Sequence, residues 1–181
     1  MSTQLLNRRA FNALSLTFGS SVAISGAVEA LSATSVHAAT TDANADGAGR
    51  IVKFNDGRIV AAIGQGSARL GQGRHPEAAE EEALRTGLML GMTLVDTAEI
   101  YGDGNAERLI GRVIADRRDQ VFLVSKVWPS HVAGNGIERA CDASLARLGT
   151  DHLDLYLLHW PNGISDFAGV VAAFEKLRNM E

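Results

Sequence analysis

Four ionisable side chains stand out by type and spacing: Asp96, Tyr101, Lys126 and His159. Asp96 and Tyr101 share the stretch "VDTAEIYG", Lys126 closes "VFLVSK", and His159 closes "LYLLH". An isolated phenol titrates at about 10 and is a slow acid at neutral pH. An ammonium beside it favours the phenolate, and a carboxylate holds that ammonium in place and keeps it charged. A phenol so placed gives or takes a proton near neutral pH. An imidazole alongside can orient a carbonyl oxygen by a hydrogen bond. The grouping suits protonation of a carbonyl oxygen while a hydride arrives from elsewhere. Side chains do not supply hydride, so the chemistry implies a nicotinamide cofactor.

The elements that must position these groups follow from hydrophobic periodicity and turn residues. "IVKFNDGRIVAAIGQG" predicts two short strands around Asn55-Asp56-Gly57, a strong hairpin turn. Residues 76–90 predict a helix, with Pro76 in the first turn, Glu77, Glu80, Glu81 and Glu82 near its positive end, and Gly91 as its stop. Strands are expected at Thr93–Asp96, Val121–Lys126 and Leu153–His159, and helices over 105–118, 136–148 and 166–180. Asp103 and Asn105 read as turn and N-cap residues, and Glu99 as polar scaffold.

A strand every thirty residues or so, each followed by a helix, is the cadence of a parallel sheet. Continuous apolar strands such as "VFLV" and "LYLL" suit parallel strands covered on both faces. Two architectures use this cadence, the doubly wound sheet and the (β/α)₈ barrel. A dinucleotide-binding doubly wound sheet needs a glycine fingerprint opening its first helix. In "GQGSARLGQG" Arg69 stands where the third glycine of that fingerprint belongs, and a longer loop precedes the helix. Three consecutive strands instead end in ionisable residues: Asp96, Lys126 and His159. Each shares parity with an apolar residue two positions back (Leu94, Val124, Leu157), so all three can point into one barrel mouth. The expected fold is therefore α/β, of the (β/α)₈ TIM barrel type.

"VDTAEIYGDGNAE", "VFLVSKVWPS" and "SLARLGTDHLDLYLLHWP" together resemble the aldo/keto reductases, and the resemblance runs from about Val52 to Glu181. All four members of that family's catalytic set have a match at the right motif position: Asp96, Tyr101, Lys126 and His159. The resemblance implies an NADPH-dependent reductase of aldehydes or ketones with no metal, in which Tyr101 donates the proton and Lys126 with Asp96 tunes it. His159 would position the carbonyl. Trp128 and Trp160 fall where such enzymes line the substrate pocket, and Gly66, Ser67 and Asp96 fall where they meet the cofactor. Ala68 stands where family members often carry an aromatic residue.

Taken singly, the residues have plainer explanations. Asp96 alone is a turn or capping residue, Lys126 a solvated strand end, and His159 a satisfied core histidine before Pro161. Trp128 and Trp160 serve equally as packing. Jointly these explanations must also account for three strands in a row ending this way, with a tyrosine soon after the first.

Bulk properties bound the rest. With 181 residues, a net charge of -4 and no basic stripe, the chain is poorly suited to nucleic acid. The single cysteine, Cys141, forms no intramolecular disulfide and reads as a small apolar residue on a helix. Residues 1–38 carry the grammar of an export signal: Arg8-Arg9-Ala10-Phe11 is similar to the twin-arginine motif, a weakly apolar middle follows, and Val36-His37-Ala38 suits cleavage. Export to the periplasm without a stable membrane span is expected, or a cytoplasmic location if the signal is not used. Residues 39–50 read as a flexible linker, and 51–181 as a single domain. A (β/α)₈ barrel takes about 250 residues, so the chain is expected to hold an N-terminal hairpin and about four βα units. The family's fifth strand, its Ser-Asn motif and most of its cofactor site come later. Open strand edges would then favour self-association. Two functions of different kind follow: a carbonyl reductase acting on a small carbonyl substrate, or a non-catalytic half-barrel, either a remnant or one that binds a partner.

Overall fold

The computed structural model describes residues 50–179; the expected signal segment and nearly all of the linker lie outside them. The chain opens with strands β1 (Ile51–Lys53) and β2 (Ile59–Ala61), paired antiparallel with Val52 opposite Val60. The turn between them falls where Asn55-Asp56-Gly57 places it, with Gly57 at φ +90°. Four βα units follow: β3 (Gly64–Gly66) and α1 (Glu77–Met89), β4 (Leu94–Asp96) and α2 (Asn105–Ile114), β5 (Phe122–Val127) and α3 (Gly136–Leu148), β6 (Leu155–Leu158) and α4 (Phe167–Arg178). Residues 59–66, expected as one strand, are two. Ala62 N–H closes the hairpin on Arg50 O, and the chain then bends so that β3 can pair parallel with β4.

The four parallel strands lie in chain order, β3-β4-β5-β6. A doubly wound sheet would reverse its order and carry helices on both faces. Here the helices cover one face. Val95, Leu123, Val127 and Tyr156, all nearly inaccessible, point from the strands into a core shared with Ile110, Ile137, Leu148 and Leu177 of the helices. The alternate residues Leu94, Phe122, Leu155 and Leu157 face the other way and are only half-buried. The architecture is thus an arc of a (β/α)₈ barrel preceded by a hairpin. The hairpin covers the N-terminal end of that arc: the Phe54 and Phe122 rings meet edge to face at 5.9 Å, the Arg58 guanidinium lies over both, and its Nη1 donates to Asp154 O.

Two helix contacts fix the layer behind the sheet. At Gly111 α2 meets α3 backbone to backbone, where a Cβ would stand 2.5 Å from Leu148 O. Glu107 of α2, fully buried, accepts a hydrogen bond from Ser125 Oγ of β5 at 2.6 Å and from Arg147 Nε of α3 at 2.5 Å. A carboxylate out of water needs such partners. Helix α2 is shorter than the 105–118 expected. The backbone breaks at Arg117 (φ −147°), and Arg118, which opens a 3₁₀ turn, donates to Val121 O, Thr150 Oγ1, His152 O and Asp154 Oδ2, tying the chain entering β5 to that entering β6. Cys141 lies in the core face of α3.

Candidate active site

The C-terminal ends of the strands form a stepped rim. Gly66 pairs with Asp96 and Asp96 with Val124; Lys126, opposite Leu157, stands one inward-facing position higher. The ladder continues past the strand ends, with Thr97 N–H donating to Val124 O and His159 N–H to Val127 O. Asp96, Lys126 and His159 therefore share the inner face at successive heights, as their parity predicted. Ser67, fully buried, steadies the lowest step: its backbone N–H and its hydroxyl both donate to Asp96 O at 3.0 Å. Its hydroxyl is thus already engaged, whereas Gly66 is exposed, with open space where a Cβ would stand.

After Asp96 the backbone turns sharply. Gly102, Asp103 and Gly104 take φ of +57°, +53° and +83°, and Asp103 is the single non-glycine residue with positive φ among the described residues. Asparagine and aspartate tolerate this region better than most side chains. Gly102 is further constrained, since a Cβ there would stand 2.6 Å from Gly71 O. Gly104, not Asn105, is the N-cap of α2, and Asn105 is its first helical residue without a side-chain cap. The tight turn presents Tyr101 over the rim.

The four predicted groups converge. Lys126 Nζ donates to Asp96 Oδ1 at 2.6 Å and to Thr97 O at 2.8 Å, and lies 5.3 Å from the centroid of the Tyr101 ring. The Tyr101 ring meets the His159 imidazole edge to face at 5.5 Å. Trp128 approaches the same imidazole edge-on at 5.0 Å, and Trp160 stacks on it at 5.9 Å. Burial is the main influence depressing the His159 pKa below the ordinary histidine value; the Lys126 charge adds to it, while Asp96 and Glu99 oppose it. The imidazole is therefore held neutral to lower pH than a free one. Its Nδ1 is buried without a hydrogen-bond partner.

A cavity of about 630 Å³ opens beside this cluster, lined by Trp128, Pro129, Ser130, Trp160, Asn162 and Gly163. A larger one, about 720 Å³, lies at the opposite end of the sheet around Arg118, Asp142 and Thr150. There Arg118 is committed to four acceptors that hold the loops together.

Glu99 is the residue that sequence reasoning undervalued. Its side chain is only 7% exposed, and its carboxylate accepts a short hydrogen bond from Trp128 N–H and meets His131 Nδ1 at 2.9 Å. The partner is a backbone N–H on the next loop, which no residue type or spacing announces.

Comparison with known proteins places the chain. The aldo/keto reductase family model matches residues 62–180. Methylglyoxal reductase YeaE of Escherichia coli is 47% identical over 128 residues, 71% of this chain and 45% of the relative. An aldo-keto reductase of Mycobacterium sp. strain KMS is 39% identical over 132 residues, with the same shares covered. A crystal structure of an aldo/keto reductase from Klebsiella pneumoniae, in complex with NADP and acetate, aligns with a TM-score of 0.66 at 45% identity, over 71% of this chain and 45% of that one. The chain thus spans about 45% of the length of the curated relatives it matches. The matched segment, the strand order and the rim agree: the chain belongs to the aldo/keto reductase family.

Proposed function

We propose that the chain carries the proton-transfer half of an NADPH-dependent reductase of aldehydes or ketones. The observation that carries this is the convergence of Tyr101, Lys126, Asp96 and His159 on one rim beside an aromatic-lined cavity. NADP(H) in the related structure supports the choice of cofactor.

The residues present fit such a cofactor at the inner end of the cluster. Gly66 leaves open space against the backbone, and Asp96 commits one carboxylate oxygen to Lys126 while its side chain stays 37% exposed. Gly66 and Asp96 would hold the cofactor there, with Ser67 bracing Asp96 from behind. When bound, the cofactor supplies the hydride. The residues of this chain orient the carbonyl and supply the proton. With Nδ1 of His159 buried, Nε2 is left to hydrogen-bond a carbonyl oxygen, which a neutral imidazole does as a donor. The Tyr101 hydroxyl passes its proton to that oxygen, and the Lys126 ammonium stabilises the negative charge left on the phenol. Asp96 and Thr97 O keep that ammonium at the rim. Trp128 and Trp160 form an apolar wall for the remainder of the substrate.

The test is NADPH titration of the purified chain, followed by turnover with small neutral aldehydes. Saturable binding and turnover are expected, and an absence of saturable binding sinks the proposal. A second reading, a non-catalytic half-barrel that binds a partner, draws support from the half-exposed inner face at Leu94, Phe122, Leu155 and Leu157. It predicts a stable complex and no turnover. Export through residues 1–38 belongs to the same proposal and is tested by the N-terminal sequence of the protein recovered from the periplasm.

A further inference from the structure

We propose that Glu99 is a positioning residue for the carbonyl site: its carboxylate pins the Trp128–His131 loop and thereby sets where the Trp128 ring stands against His159. This role rests on the reductase reading above. Strand β5 ends at Val127, and the next N–H, that of Trp128, is met by a carboxylate and not by a strand. The same oxygen, Oε1, reaches His131 Nδ1 at the far end of the Pro129–His131 3₁₀ turn. One oxygen thus holds both ends of the segment that lines the cavity. Glu99 is itself fixed, because its own N–H donates to Lys126 O at 3.3 Å. A side chain 7% exposed has given up most of its water, and charge-assisted hydrogen bonds repay that loss. A solvated bystander would show none of this.

The consequence is a division of labour. Asp96 and Thr97 hold Lys126, whereas Glu99 holds Trp128, which packs at 5.0 Å on His159. Loss of Glu99 should therefore weaken carbonyl binding more than proton transfer.

Trp128 and Trp160 are the chain's two tryptophans, so a Trp160→Phe background leaves Trp128 as sole reporter. In that background Glu99→Ala and the apolar, similar-sized Glu99→Met should shift Trp128 emission to the red and weaken its near-UV circular dichroism. Far-UV circular dichroism should stay unchanged. Glu99→Gln, which keeps an acceptor oxygen, should preserve both signals. With both tryptophans present, Glu99→Met should raise KM for a neutral aldehyde about tenfold with kcat within about threefold, and Glu99→Gln should restore KM. Unchanged emission in both Ala and Met variants overturns the pinning. A fall in kcat at constant KM, or no rescue by glutamine, overturns the positioning role. A parent chain without turnover refutes the reductase reading alone, and the emission of the Met variant still decides the pinning.

Discussion

Tyr101 presents its ring to both the His159 imidazole and the Lys126 ammonium, and Lys126 keeps one N–H beyond the two it gives to Asp96 Oδ1 and Thr97 O. Tyr101→Phe should accordingly lower kcat by about 10²–10⁴-fold, the usual worth of a positioned general acid, while NADPH titration of the variant stays unchanged. His159 makes a second prediction. Its folded-state pKa is depressed, chiefly by burial, so the unfolded chain binds the proton more readily. Stability linked to this residue is present above the ordinary histidine value near 6.5 and declines as pH falls from there towards the depressed value. An NMR titration of the ring should give a midpoint below 6.5, and His159→Gln should flatten that part of the stability profile. A midpoint at or above 6.5 would contradict the burial argument. Asp96, Lys126 and His159 were legible before the fold because each stands at a strand end, where parity assigns the face; Tyr101, in the 3₁₀ turn that follows, was legible only from its motif. Glu99 was not legible, for its main partner is a main-chain N–H 29 residues away.

Between elements, the sheet and its helix layer are joined at a few exacting contacts. Arg147→Ala would leave Glu107 fully buried without its cation, and breaking a buried pair this way costs about 3–5 kcal/mol. A clear fall in the urea midpoint should follow; an unchanged midpoint would show that the pair contributes nothing net. Gly111→Ala would drive a methyl to 2.5 Å from Leu148 O, and because the obstacle is backbone the two helices must separate. About 1–3 kcal/mol of destabilisation is expected from such overpacking, read from thermal unfolding. From α1 onward element type and order were legible, since amphipathic helices and continuous apolar strands differ in period. Helix α3 has the bounds its sequence predicts, stopping at Gly149 with φ +64°. The misses lie where side chains reach across the fold. Helix α2 ends at Ile114 and is followed by a turn whose Arg118 is held by acceptors up to 36 residues away, and the residues after Gly57 divide between two sheets. No local pattern carries either fact.

At the scale of the whole molecule, β3 and β6 are the edges of the parallel sheet among the described residues, and Leu94, Phe122, Leu155 and Leu157 on its inner face are only half-buried. Unpaired parallel edges invite pairing, so purified chain should run as a discrete dimer in light scattering. A monodisperse monomer or a polydisperse aggregate would count against pairing of this kind. The barrel architecture was legible from the three ionisable strand ends, whereas the stepped height of the rim was not, because register emerges only when strands pair. Strand order has one more consequence. Each parallel strand bonds to the one just before it in the chain, about thirty residues back. Every closure therefore costs a similar and modest loop entropy, and none waits for a distant partner. The sheet can grow strand by strand during synthesis, so Asp96, Lys126 and His159 would meet in the order in which they leave the ribosome.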